Sequence, residues 1–177
     1  MITAEALERV RGWFTGRLPE EWRAAPPEIT VDRDEITVVL HLSDVDLPGD
    51  ASDAERSEAR AGRAKAFREE TRRTRMSIAD EAQHRFERKV SWGVVLGEGE
   101  DPHRELFTHV AAPVMTRLRQ PQRIVLDTLV AGGVARSRAD ALAWCVRLVG
   151  QHEDDWLAEL REAMSAVADV RSRGPAA

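Results

Sequence analysis

Groups able to do chemistry are few and scattered along the chain. Asp32, Asp34 and Glu35 lie in the run DRDE, dense enough for paired-carboxylate acid–base work. That run falls between two alternating apolar stretches, where polar residues serve as a hairpin turn. The histidines, His41, His84, His103, His109 and His152, lack the short spacings of a metal site, and only His41 and His109, on neighbouring strands, could meet. Cys145 is the one cysteine, so no internal disulfide forms; its place on an apolar helical stripe makes it a small hydrophobe rather than a reactive thiol. No G-x-S-x-G, P-loop or G-x-G-x-x-G occurs, and GEGEDP at Gly97–Pro102 lacks the lysine and the strand-to-helix setting of a phosphate loop. No enzyme chemistry, cofactor or metal is expected. What remains is positive charge. Arg68, Arg72 and Arg75, four and three residues apart, fall on one helix face and could flank nucleic-acid phosphates. Such a row also makes solvated pairs, as Glu69 with Arg73.

Composition bounds the setting of these groups. A chain of 177 residues with 42% hydrophobic content suits one large domain or two small ones with a real core. No apolar run reaches membrane-spanning length, and Glu5, Glu8, Arg9 and Arg11 sit where a signal peptide needs an uncharged core, so a cytoplasmic protein without membrane contact is expected. The net charge of −5 argues against indiscriminate coating of nucleic acid, yet residues 56–89 hold eleven basic against six acidic side chains, which leaves room for a compact basic face. Lys65 and Lys89 are the only lysines. Of five tryptophans, Trp13, Trp92, Trp144 and Trp156 sit in helical or strand patterns as core or interface anchors, and Trp22, between prolines, is the one placed to cap a pocket.

Periodicity supplies the elements that position these side chains. Ala6, Leu7, Val10 and Phe14 share a helical face, and Pro19, Pro26 and Pro27 end that helix. Ile29 and Val31, the polar turn, then Ile36, Val38, Leu40 and Leu42 read as a hairpin. Ser52 with Glu55 is a capping-box signal opening one long helix or two in tandem to Lys89, with Gly62 or Arg72–Arg75 as the break. Val90–Leu96 and Leu106–Val110 read as a second hairpin. After Pro113, Val114–Leu118 alternates as a short strand, and Ile124–Val130 is helical with Pro121 in its first turn. Gly132 and Gly133 stop that helix, and Ser137 caps the next with Asp140 three residues on. Gly150 is expected to break or kink it, and Trp156, Leu157, Leu160, Met164 and Val167 repeat along a terminal amphipathic helix before a frayed RSRGPAA tail.

Across Val114 to about Val149 the chain resembles the ribbon-helix-helix family, which includes the Arc and MetJ repressors. The likeness rests on VMTRL, LDTLV at Leu126–Val130, Gly133, and SRADAL at Ser137–Leu142. It implies two chains interleaved as a homodimer, their strands paired into a ribbon that enters the major groove of double-stranded DNA. Met115 and Arg117 match the reading phase, with Arg119 just beyond, and the amides at Ser137 and Arg138 would hold a phosphate at a helix N-terminus. The N-terminal part, with its basic helix and the strand SWGVVL, is faintly similar to a KH-type RNA-binding domain, although REETRRTR stands where that family has G-x-x-G.

The expected architecture is α+β. An N-terminal α-β-β-α-β-β sheet domain, residues 1–112, is followed by a ribbon-helix-helix module with an extra terminal helix, residues 113–177. The expected function is a homodimeric DNA-binding transcriptional regulator, most simply a repressor, whose N-terminal domain senses an effector, recruits a partner protein or adds a second dimer contact. The alternatives are a non-DNA dimerisation or protein-interaction module of antitoxin type, and RNA binding through the N-terminal domain.

Overall fold

The computed structural model describes residues 3–22, 25–97, 102–108 and 110–173, in two compact units, Met1–Ala112 and Pro113–Ala177.

In the first unit, helix α1 (Ala4–Arg17) starts at Thr3, whose side chain accepts from the Ala6 amide, and stops before Pro19. A single 3-10 turn, Glu20–Trp22, follows. Strands β1 (Glu28–Val31) and β2 (Glu35–Leu42) pair antiparallel. Asp32 fixes their turn by accepting from the amides of Asp34 and Glu35 at 2.8 and 2.7 Å, so the Asp32 carboxylate serves the turn. The long basic segment is two helices, α2 (Asp53–Glu70) and α3 (Arg72–Phe86), meeting at Thr71. Ser52 and Glu55 cap α2 reciprocally, and Gly62 passes without interrupting it. Strand β3 (Lys89–Leu96) then runs parallel to β2, and β4 (His103–Leu106) returns antiparallel, four-residue register Gly93–Leu106 to Leu96–His103. The second hairpin strand therefore ends at Leu106, where the sequence pattern had it begin.

The sheet order is β1-β2-β3-β4. Alternate residues of the two central strands, Ile36, Val38 and Leu40 with Trp92, Val94 and Leu96, turn to one face and are buried against Val10 and Phe14 of α1, Ala64 and Phe67 of α2, and Ile78 and Ala82 of α3. The β2-to-β3 step is a parallel crossover, which is why two helices lie between those strands. Trp22 is buried in this core, edge-on to Phe67 and Trp92.

The second unit is all helical among its described residues: α4 (Gln120–Ala131), α5 (Arg138–His152) and α6 (Asp154–Arg173). The expected ribbon-helix-helix module is absent. Val114–Leu118 is not a strand; it pairs with no strand of the sheet, and Val114 and Met115 are 86% and 96% exposed. Alternation over five residues marks a strand only where a partner supplies hydrogen bonds, and Pro113 removes a donor at its start. Helix α4 ends in a Schellman turn: Gly133 takes φ +74°, and the amides of Val134 and Gly133 donate to the carbonyls of Leu129 and Val130 at 3.0 and 3.1 Å. Gly150 does not break α5, which runs on to His152 and stops at Glu153. Among the described residues no helix is long and apolar enough to cross a membrane.

Candidate functional site

The helical unit has too little to bury. Among the described residues its buried core is Leu126, Ala135 and Ala141, with Leu118, Leu129, Val130, Leu142 and Cys145 packed half-buried around it. A chain of roughly 70–80 residues or fewer rarely gains more than about 3–5 kcal/mol from one core, and a core of one leucine and two alanines lies below even that. Cys145 is half-buried there rather than enclosed.

Apolar side chains instead face outward along α5 and α6. Val146 and Val149 are exposed on α5, and Trp156, Leu160, Met164 and Val167 on α6. In α6, Leu157, Leu160, Met164 and Val167 recur at steps of three, four and three, the spacing of a seam that packs against another helix. Position 163, beside the seam, is alanine, a small residue that lets a partner helix approach closely.

The residues expected to touch DNA are placed differently from one another. Arg117 is exposed in an irregular segment and makes no hydrogen bond or ion pair among the described residues. Arg119 precedes α4, where its backbone amide donates to the Gln122 side chain at 2.9 Å. Met115 is exposed beside them, with no strand pairing to aim any of the three.

Ser137 and Arg138 do stand at a helix start, and their side chains are engaged within the unit. The Asp140 amide donates to Ser137 Oγ at 3.2 Å, and the Arg136 amide donates to Asp140 Oδ2 at 2.9 Å. Arg138 is locked bidentately to Asp127, Nε to Oδ1 at 2.6 Å and Nη2 to Oδ2 at 2.7 Å. The Arg138 hydrogen bond holds the Asp127 carboxyl below its ordinary value, so it stays ionised. Ser137 and Asp140 thus cap the start of α5, and Asp127 holds the Arg138 side chain.

Arg68, Arg72 and Arg75 gather where α2 meets α3, yet not as one solvated row. Arg75 is 6% exposed: Nε donates to Thr71 Oγ1 at 3.0 Å, Nη2 donates to the Arg68 carbonyl at 2.6 Å, and the guanidinium lies 4.9 Å from the Phe107 ring centroid. Burial, then repulsion from Arg68 and Arg72, pushes its pKa down from the usual guanidinium value. It packs as a structural arginine, where the sequence spacing alone had placed it beside Arg68 and Arg72 as an auxiliary phosphate contact. Arg68 sits 5.7 Å from the same ring and 3.9 Å from Glu105. Arg72 is exposed and unpaired among the described residues. The Glu69–Arg73 pair is not formed; Arg63 pairs with Glu70 at 3.7 Å instead.

His41 meets Glu28 at 3.1 Å, and its other expected neighbour, His109, lies outside the described residues. Among the described residues no group of three or more His, Cys, Asp or Glu could hold a metal. Trp22 lines a cavity of about 400 Å³ with His41 and Thr71, though as part of its floor, its ring being buried in the core.

Two family models match the chain: the N-terminal domain of Rv1265-like proteins over residues 8–102, and the Mb1296 C-terminal domain over residues 119–171. Uncharacterized protein Mb1296 of Mycobacterium bovis is 62% identical over 164 residues, which covers 92% of this chain and 69% of the relative. Uncharacterized protein Rv1265 of Mycobacterium tuberculosis matches to the same extent. No solved structure matches. Neither model is a ribbon-helix-helix or a KH-type family, and this corrects both resemblances drawn from short motifs. S-R-x-D after a glycine turn is a capping pattern that many helical hairpins share, and here it serves only to start α5.

Proposed function

The chain belongs to the family that joins an Rv1265-like N-terminal domain to an Mb1296 C-terminal domain, and on that premise we propose that it works as a homodimeric binding protein whose helical unit is its self-association module. The observation that carries this reading is the outward apolar seam of α6, Leu160, Met164 and Val167 beside the half-buried Leu157, above a core of three buried residues among those described. A second copy is the occupant that suits it. Each copy brings two adjacent stripes, one from α5 and one from α6, and a twofold axis lets the same patch meet itself and close without leaving an open end. Burying exposed apolar surface stabilises the pair by roughly 25 cal/mol per Å² removed from water, less the ordering cost of association.

Hydrogen exchange measured against protein concentration tests this. Amides of Asp154–Arg173 gain protection as concentration rises, while those of Lys89–Leu96, in the sheet core, do not change. Concentration-independent exchange in α6 contradicts the reading.

Contact with duplex DNA is a second reading, favoured by one observation, the unpaired and exposed Arg117. In a dimer two such arginines, each followed by Arg119, would present four guanidinium groups to phosphates without a ribbon in the groove.

A further inference from the structure

A cavity of about 390 Å³ opens beside the α2–α3 junction, within the range of roughly 300–1,000 Å³ usual for small-molecule sites. Its lining combines two chemistries: Trp92, Phe107 and Met76 supply apolar and aromatic surface, and Arg68, Arg72 and Arg75 supply guanidinium groups, Arg68 and Arg75 lying 5.7 and 4.9 Å from the Phe107 ring centroid. Trp92 borders the cavity but is 3% exposed, and its indole Nε1 is enclosed without a hydrogen-bond partner among the described residues. Arg72 has no carboxylate, and the nearest one to Arg68, Glu105, stands off at 3.9 Å. Three guanidinium groups thus share one junction, with Glu69 the sole acidic residue lining the cavity among the described residues.

We infer that this cavity binds a small organic anion, an aromatic carboxylate, with its ring against Trp92 and Phe107 and its carboxylate on Arg72 and Arg68. Planar guanidinium groups match a carboxylate fork to fork, and a planar apolar body is what two aromatic walls accept at low cost in shape. The site lies wholly in the sheet unit, so it stands or falls independently of self-association by the helical unit.

The test is a titration of the full chain with 1-naphthoate, benzoate and indole-3-acetate, followed by two-dimensional ¹⁵N–¹H spectra of the tryptophan indoles, with Trp92→Phe assigning the signal. Saturable movement of the Trp92 indole resonance is expected with at least one of the three. Arg72→Gln, at an exposed position that leaves the fold intact, weakens that binding about tenfold, the worth of one charge-assisted contact. The neutral 1-naphthamide binds about tenfold more weakly than 1-naphthoate. Three acids that leave the Trp92 indole unmoved, or an affinity indifferent both to Arg72→Gln and to loss of the ligand's charge, would overturn the assignment.

Discussion

Arg104 on one edge strand reaches Glu28 on the other, Nη2 to Oε2 at 2.8 Å, so that a single ion pair spans the face of the sheet away from the helices. His41 of β2 joins the same carboxylate at 3.1 Å. Beneath this strap Val39 and Val95 are buried on a face that carries no helix of its own unit's core. The long arms of Arg104 and Glu28 cover that apolar surface while keeping their charges in water.

The strap makes the sheet unit sensitive to acid. The Arg104 hydrogen bond, helped by charge from Arg104 and His41, holds the Glu28 carboxyl below its ordinary value. A carboxylate depressed in the folded state stabilises it above the unfolded value of about 4.3 and loses that contribution as pH falls through the folded value. Urea midpoints of the native chain therefore drop between about pH 5 and pH 3 more steeply than those of Glu28→Gln. Parallel curves for the two proteins would remove Glu28 from the account.

Gly93 on β3 lets β4 come close. A Cβ there would lie 2.5 Å from Leu106 Cδ2 and 2.9 Å from the Glu105 carbonyl oxygen, and the latter is backbone with nowhere to retreat. Gly93→Ala destabilises the unit by about 1–3 kcal/mol, the range for an overpacked site. Chemical denaturation followed by tryptophan fluorescence reads the loss, and a variant as stable as the parent contradicts it.

Arg75 is held by Thr71, the Arg68 carbonyl and the Phe107 ring. Arg75→Leu strips these partners of their donor and costs about 1–3 kcal/mol, whereas Arg72→Gln, at an exposed neighbour, changes the midpoint little. Equal effects at the two positions would place Arg75 on the surface rather than in the fold.

For DNA, the expected outcome separates phosphate contact from base reading. Binding of the chain to duplex weakens steeply with salt, and Arg117→Ala lowers the slope of log K against log salt by about 1 per arginine removed, to a similar degree on every sequence. Ser137→Ala and Arg138→Gln leave the slope unchanged, because the Ser137 hydroxyl caps its own helix and Asp127 already holds the Arg138 guanidinium. A slope that falls on substituting Arg138 while Arg117→Ala has no effect reverses the assignment.

Elements whose signals are local were legible in the sequence: Ser52 and Glu55 name the start of α2, Gly133 the end of α4, and Ser137 the start of α5, since each cap is closed by residues three or four apart. What depends on distant partners was not. Val114–Leu118 alternates as a strand does but has no neighbouring strand to pair with, and the parallel β2–β3 register joins residues separated by two helices. At the arginine cluster, spacing alone gave three equivalent side chains. Which of them is buried depends on Phe107, more than thirty residues away in the chain, and the unpartnered Trp92 indole N–H has no sequence signal at all. The α6 stripe was visible as a face that packs on something, and its exposure in a single copy leaves the something to be supplied.

Sedimentation equilibrium of the full chain against the double variant Leu160→Glu, Met164→Glu tests self-association most directly. At micromolar concentration the native chain sediments at twice its 19.8 kDa mass, and the variant, with two carboxylates set into the α6 seam, sediments as a monomer with its sheet unit still folded by circular dichroism. A native chain that remains a monomer throughout that range, or a variant that dimerises as tightly as its parent, contradicts the α5–α6 interface.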